Sequence, residues 1–511
     1  MRGSDADTRR FRGQILRRES TGVINFPMRW TNHLTVVGLI AAGLMACSGT
    51  TASAPPVVPG AGTAPPTDGA QAWLTTADGA LRLAPFVAGA IQLGAGQTAD
   101  VVIDTRQRHQ PFSGYGASIT DATAWLLAHE LGADDRARLL QELFGDGGEL
   151  GLDLTRITIG ASDFSLSHYT YADTPGVADA DITPATSELI PALLQIRAIN
   201  PKLKVIASPW SAPAWMKTSR SLIKGRLDPA HYNDFAQYLV SYTKAMAAAG
   251  TPIDMLTIQN EPHFEPEDYP GMRVDPAERA SFVGEYLGPM MDRDIPETRL
   301  LDWDHNWNEP ESPLAVLADA KASQFVDGVA WHCYGGDVSA QSIVHAKHPD
   351  KETWFTECAA GDWSGDWASA FQWSARALVI GAPRNWARGV VMWNLALDQN
   401  HGPHLGGCGN CRGLVTINTE SGAITREPEY YAFAHGSRFL PQQAVRVEAA
   451  ANIPGVETVA FMGDGESTVV VIVFNGNDRD EDISINVDGS VWQGKMPPGS
   501  LATYVIKIDG G

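Results

Sequence analysis

The 511-residue sequence predicts an α/β protein, a (β/α)8 TIM barrel with a β-sandwich side domain built from both chain ends. Three observations predict it. Between residues 111 and 430, eight short apolar runs alternate with amphipathic stretches, the pattern of parallel strands joined by helices. The flanks, 71–110 and 431–511, carry period-two or fully apolar strand runs with no helical period. The composition, 44% hydrophobic and 19% charged, supplies enough apolar side chains to fill a sizeable core. Length alone would allow about three domains, but this pattern divides the folded part into two.

The first 47 residues read as a leader. Seven Arg against three acids give the first 30 residues a charge of +4, in a chain whose total is −21. The uncharged run from Leu34 to Ala46 follows, and its 13 residues fall short of the roughly 20 needed to span a membrane. It fits a signal-peptide core. The run ends LMAC, with small Ala46 before Cys47, which resembles a bacterial lipoprotein signal. That implies export, lipidation of Cys47 and membrane contact through the anchor, at the bacterial cell envelope; a periplasmic or secreted protein is the alternative. Residues 48–70, rich in Ala, Pro, Thr and Gly, read as a flexible linker. The acidic body repels phosphate backbones, so nucleic acid is excluded as a partner.

The eight barrel runs begin at Phe112, Leu154, Leu203, Asp254, Arg299, Gly328, Glu352 and Gly389. The segments Asp121 to Phe144 and Pro229 to Gly250 read as helices, with apolar residues three and four apart. The runs begin 42, 49, 51 and 45 residues apart as far as the fifth and 29, 24 and 37 apart after it, so the larger loops fall early. In the flanks, the runs from Thr468 and from Ser500 read as strands punctuated by Asn-Gly and Pro-Gly turns.

In such a barrel the C-terminal strand ends line the active site. Those ends carry Asp163, Trp210, Asn260 with Glu261, His305, His332 with Tyr334, Glu357, and Trp393 with Asn394. Two glutamates, aromatics and amides, with no metal-ligand spacing, are the inventory of a sugar-cleaving site that needs no cofactor and no metal. Glu261 closes the fourth run and Glu357 the seventh, 96 residues later, which sets the two strands across the barrel mouth from one another. Carboxyl groups placed there reach the separation of about 5 to 5.5 Å at which one attacks and the other serves as acid and base. That chemistry requires Glu261 to stay protonated and Glu357 to be ionised. Arg156 and Tyr334 are the candidate donors to Glu357. Trp210 and Trp393 offer faces on which a sugar stacks, with Trp215, Trp303 and Trp307 as weaker versions of the same signal. Asp163 reads as a bidentate partner for two sugar hydroxyls, and His305 as a histidine lying behind the site.

Of five cysteines, only Cys408 and Cys411 are close in sequence. In an oxidising compartment they read first as a local disulfide, with free thiols, or a zinc site completed by His401 and His404, as the alternatives.

The stretches FSGYGASITDA, RITIGASDFS, ASPWSAPAWMKT, LTIQNEP, WHCY, FTECA and MWNLALDQNHGP, in this order, resemble glycoside hydrolase family 30, which includes lysosomal glucosylceramidase. The resemblance runs from about Gln110 to the C-terminus. It implies Glu261 as acid/base, Glu357 as nucleophile and Asn260 at the sugar 2-hydroxyl. It further implies Asp163, Trp210 and Trp393 around the glycone, Arg156, His332 and Tyr334 around the nucleophile, and the barrel-plus-sandwich fold. The implied activity is retaining hydrolysis of β-glucosides, of glucosylceramidase or β-glucosidase type, on a glycolipid or β-glucan substrate. The Cys408–Cys411 loop departs from the lysosomal enzyme and resembles β-1,6-glucanases of the family, which makes a β-1,6-glucanase the alternative. A β-xylosidase or fucosidase, and an inactive carbohydrate-binding surface lipoprotein, stand lower.

Overall fold

The computed structural model describes residues 70–441, 443–463 and 467–508. The leader, Cys47 and the linker up to residue 69 lie outside the described residues. Among the described residues no helix is long and apolar enough to cross a membrane.

All eight apolar runs form strands, and they close into one parallel barrel. In chain order the strands are Tyr115–Ala117, Leu154–Ile159, Lys204–Pro209, Met255–Thr257, Arg299–Asn306, Gly328–His332, Glu352–Glu357 and Ala387–Met392. Alternate residues of a strand face the barrel interior, and they do so in two layers. The lower layer is apolar: Leu154, Ile206, Met255, Leu301, Ala330, Trp354 and Val391 pack together. Trp354 occupies the space beside the eighth strand, where a Cβ on Gly389 would meet its ring at 2.8 Å and the Leu154 methyl at 2.4 Å, so only glycine fits there. One step toward the C-terminal ends the interior turns polar, with Arg156, Ser208, Thr257, Asp304, His332 and Thr356, all fully buried.

The predicted helix from Asp121 is two helices, Asp121–His129 and Ala133–Phe144, which turn at Gly132. The first is capped by Thr120, whose hydroxyl accepts from the Thr123 amide. The longest, Tyr232–Ala248, buries Phe235, Leu239, Tyr242 and Met246 at helical spacing. Its start at Pro229–His231 is a 3-10 turn.

The sandwich interleaves the two ends. Ala70–Thr75 pairs antiparallel with Ser500–Lys507, and Val101–Pro111 runs between Val445–Ala451 and Glu481–Val487. Both ends contribute to one core, including Leu74, Val101, Ile103, Val471, Ile485, Trp492 and Tyr504. The hairpin joining Glu481–Val487 to Ser490–Met496 turns on Asp488 and Gly489, both at positive φ, the geometry of a two-residue hairpin loop.

Residues 431–437 are not strand but the body of a helix, Pro428–Ser437, every residue of which is buried. His435 ties it to the sandwich through Thr75 and Thr503, and Tyr115 of the barrel packs so closely that a Cβ on Gly436 would meet its ring at 2.5 Å. A helix buried on all sides, with Glu429, His435 and Ser437 among its buried residues, shows no amphipathic period, which is why the sequence does not display it as one.

Candidate active site

The polar layer is organised by one buried ion network. Arg156 donates to Glu357 Oε2 at 2.6 Å, to Asn260 Oδ1 and Asp304 Oδ2 at 2.8 Å each, and to Ser208 Oγ at 3.1 Å. Asp304 accepts in addition from the Ser208 and Thr257 hydroxyls on Oδ2, and from His332 Nε2 and the Thr356 hydroxyl on Oδ1. Burial by itself would raise the Asp304 carboxyl, but the Arg156 charge and these donors hold it well below the usual carboxylate range. Sequence reading passed over Asp304.

The two glutamates meet above this network. His332 Nδ1 lies 3.2 Å from Glu261 Oε1 and 3.9 Å from Glu357 Oε1, so a single imidazole nitrogen spans both carboxylates. The Tyr334 hydroxyl donates to Glu357 Oε1 at 2.9 Å, opposite Arg156. Glu261 stands at φ 45°, Asp304 at φ 50° and Asn394 at φ 64°, conformations costly for residues with a Cβ and concentrated at this end of the barrel. The Glu261 amide donates to the Asp304 carbonyl at 3.0 Å, which fixes the turn that aims its side chain inward.

Protonation differs from the sequence expectation. Burial would raise Glu261, but the imidazoles of His305 and His332 outweigh it and hold the carboxyl low. Burial would lower His332, but Glu357, Asp304 and Glu261 together push it up to about 9. At neutral pH the proton expected on Glu261 therefore sits on His332, within hydrogen-bond reach of Glu261. The carboxyl that stays protonated is Asp163, which burial and then the Glu357 charge push up to about 8. Asp163 thus meets a sugar as a neutral group able both to donate and to accept.

A cleft of about 570 Å³ opens over the glutamates, lined by Asp163, Trp210, Asn260, Glu261, His305, Tyr334, Glu357 and Trp393 among others. Trp210 and Trp393 stack at 5.2 Å, and the Arg156 guanidinium lies 4.8 Å from the Trp210 ring. His305 is on the cleft wall rather than behind it, with Nδ1 3.4 Å from Glu261 Oε1 and without a hydrogen-bond partner. Asn394 is not on the cleft; its Oδ1 accepts from the Thr120 hydroxyl and braces the first loop. Trp215, Trp303 and Trp307 also stay off the cleft, each donating its ring N–H to Ala172, Asn306 and Gln341 respectively. Phe264, Tyr269 and Trp363 line the rim, supplied by loops that carry no strand signal.

Cys408 and Cys411 are joined in a disulfide. Their loop forms one cleft wall, and the Cys408 amide faces Asp163 Oδ2 at 3.5 Å. The zinc alternative does not fit, because the sulfurs are bonded to each other and His401 and His404 hydrogen-bond to backbone carbonyls through Nδ1. A second disulfide, Cys333–Cys358, was not anticipated. Among the described residues one group of donors converges closely enough to hold a cation, Glu261, His305 and His332, with ligand atoms within 4.8 Å of one another. Sequence spacing gave no sign of it, since Glu261 follows the fourth strand while His305 and His332 belong to the fifth and sixth.

The chain matches the glycosyl hydrolase family 30 TIM-barrel domain over residues 112–440 and the family 30 beta sandwich domain over residues 443–504. An endo-1,6-beta-D-glucanase of Neurospora crassa is 32% identical over 470 residues, covering 86% of this chain and 95% of that protein. A solved endo-β-1,6-glucanase superposes with a TM-score of 0.80 at 31% identity, over 86% of this chain and 100% of the other. The lysosomal acid glucosylceramidase of Mus musculus is 26% identical, covering 82% of this chain and 85% of that protein. The chain belongs to glycosyl hydrolase family 30 and is an O-glycosyl hydrolase.

Proposed function

We propose that the protein is a retaining endo-β-1,6-glucanase. The relatives support this reading above the glucosylceramidase-type one that stood first in the sequence, since the β-1,6-glucanases are more similar to it than the glucosylceramidase. The observation that carries the mechanism is the single His332 nitrogen bridging Glu261 and Glu357. Two carboxylate oxygens within 3.2 and 3.9 Å of one nitrogen accommodate the separation of about 5 to 5.5 Å of a nucleophile and its acid/base.

Glu357, its charge held by Arg156 and Tyr334, attacks the anomeric carbon. The leaving oxygen takes from Glu261 a proton that His332 has first handed to it, which leaves Glu261 ionised and His332 neutral. Esterification removes the Glu357 charge, Glu261 then takes a proton from the incoming water, and the hydroxide oxygen displaces Glu357. Trp210, Trp393, Asn260 and Asp163 hold the glycone, and the rim aromatics hold the sugars beyond it.

A panel of pustulan, gentiobiose, glucosylceramide and aryl β-xyloside tests the substrate. Pustulan should be cut internally to oligosaccharides, and NMR of the first product should show the β anomer. Preference for glucosylceramide would restore the other reading, and an α product would remove the retaining mechanism. Binding without hydrolysis of any member would leave a carbohydrate-binding protein.

The proton held on His332 makes a second prediction. kcat/KM should fall as pH rises through about 9, because the proton is present below that value and lost above it. In His332→Gln the proton has to reside on Glu261 itself, so the alkaline limb should move to lower pH. A limb that stays in place would mean that another group titrates.

Both disulfides support export into an oxidising compartment. The lipid anchor at Cys47 is part of the same proposal. Labelling with a palmitate analogue should be lost in Cys47→Ala, and an unlabelled wild-type protein would refute the anchor.

A further inference from the structure

The second disulfide sits between groups that the reaction uses. Cys333 lies between His332 and Tyr334 in sequence, and Cys358 directly follows Glu357. The parallel ladder of the sixth and seventh barrel strands ends at the pair His332 and Glu357, after a bulge at Thr356. One residue further on, where backbone pairing has stopped, the sulfurs join the segments that follow the two strands.

Tyr334 needs such a restraint. It donates to Glu357 at 2.9 Å, yet it is 45% exposed, so core packing does not fix its position. Its backbone is held by a hydrogen bond from its amide to Asn306 Oδ1 and, through its neighbour Cys333, by the disulfide to the residue beside Glu357. On the other segment, the Cys358 carbonyl accepts from the Trp393 amide, so the nucleophile's side of the bridge is anchored to the eighth strand. The bridge therefore ties the donor to the acceptor covalently through their immediate sequence neighbours.

We infer that the Cys333–Cys358 disulfide is a positioning element of the reaction, which keeps the Tyr334 hydroxyl on Glu357 as the charge on that carboxylate is consumed and regenerated. The inference rests on the assignment of Glu357 as nucleophile, which turnover and the product anomer of the unmodified protein test by themselves.

The experiment is a cycle of variants: Cys333→Ala/Cys358→Ala, Tyr334→Phe, and all three together, assayed on an aryl β-glucoside and on pustulan. If the bridge acts through Tyr334, its removal should lower kcat roughly 10- to 100-fold, as expected of a misplaced reactive group, with a smaller change in KM. In the Tyr334→Phe background the same removal should change kcat by less than about 2-fold, the mark of two residues acting through one interaction. A fall in unfolding midpoint with kcat unchanged would make the bridge a structural staple only, and equal losses in both backgrounds would show that it does not work through Tyr334. Should the cysteine variant fail to fold, the Cys408→Ala/Cys411→Ala protein can be treated under native conditions with a phosphine, which takes up the oxygen of water and leaves two thiols. Alkylation of Cys333 and Cys358, followed by mass, should then track the loss of kcat. Full alkylation at unchanged kcat would overturn the inference.

Discussion

Glu357→Gly is expected to lose roughly 10⁴- to 10⁶-fold in kcat on an aryl β-glucoside, the range seen when a covalent nucleophile is removed, and sodium azide should restore part of it. The two halves of that result have separate physical origins. The loss follows because the carboxylate that Arg156 and Tyr334 hold at 2.6 and 2.9 Å is the attacking group, and it is no longer there. The rescue follows because the missing side chain leaves a space open to the cleft, lined by those same two donors, into which a small anion fits. Azide entering there attacks the sugar from the face Glu357 would have used. One displacement inverts the centre, so the product should be the α-glucosyl azide. Glu261→Ala gives the complementary result. With a leaving group that needs no proton, the first step survives, the glycosyl-enzyme accumulates, and azide displaces Glu357 to give the β-glucosyl azide. NMR of the two azides separates the roles, and a β product from the Glu357 variant would exchange them. Absence of rescue in a variant whose near-ultraviolet circular dichroism matches the parent would move the nucleophile elsewhere.

Both glutamates were legible because each closes a run that reads as a strand, and strand ends are where barrel chemistry resides. What hid Asp304 was the phase of its strand. Period-two alternation through Leu301, Trp303 and His305 turns His305 inward and Asp304 away. The fifth strand instead carries an extra residue between Trp303 and His305 against the sixth, with Trp303 at φ 77° and Asp304 at φ 50°, and the bulge turns Asp304 into the barrel beside His305. A single sequence does not display a bulge among residues that all suit a strand. The Cys333–Cys358 bridge was closer to reach. Parallel pairing that sets His332 beside Glu357 sets the next residues side by side as well, and the register of WHCY against FTEC contains that information once the strands are known to be neighbours. The rim residues Phe264, Tyr269 and Trp363 lie in loops, where no periodicity marks the face that meets a ligand.

The largest effect on the fold itself should come from Asp304→Ala. Arg156 and Asp304 are both fully buried, and the aspartate balances a guanidinium whose other ion-pair partner is Glu357. Removing Asp304 strands buried charge and unties His332 and three hydroxyls at once, so a cost of about 3 to 5 kcal/mol is expected, read as a lowered urea midpoint. Activity should fall as well, since the same carboxylate orients Arg156 toward Glu357 and His332 toward Glu261. The double variant Arg156→Met/Asp304→Leu separates these effects. It removes both charges together and fills their volume with apolar atoms, and such replacements of a buried pair are often neutral or stabilising. Its midpoint should therefore recover most of the loss, while activity stays low because Glu357 then keeps only the Tyr334 hydroxyl of its two donors. The pH dependence has the corresponding sign. The Asp304 carboxyl is held below its value in the unfolded chain, so its contribution is complete above about pH 4 and declines as pH falls. Asp304→Ala should accordingly lie furthest below the parent at neutral pH and approach it in acid. A double variant as unstable as the single one would mean that packing, not charge balance, sets the cost, and an Asp304→Ala protein as stable as the parent would remove the network from the account of the fold.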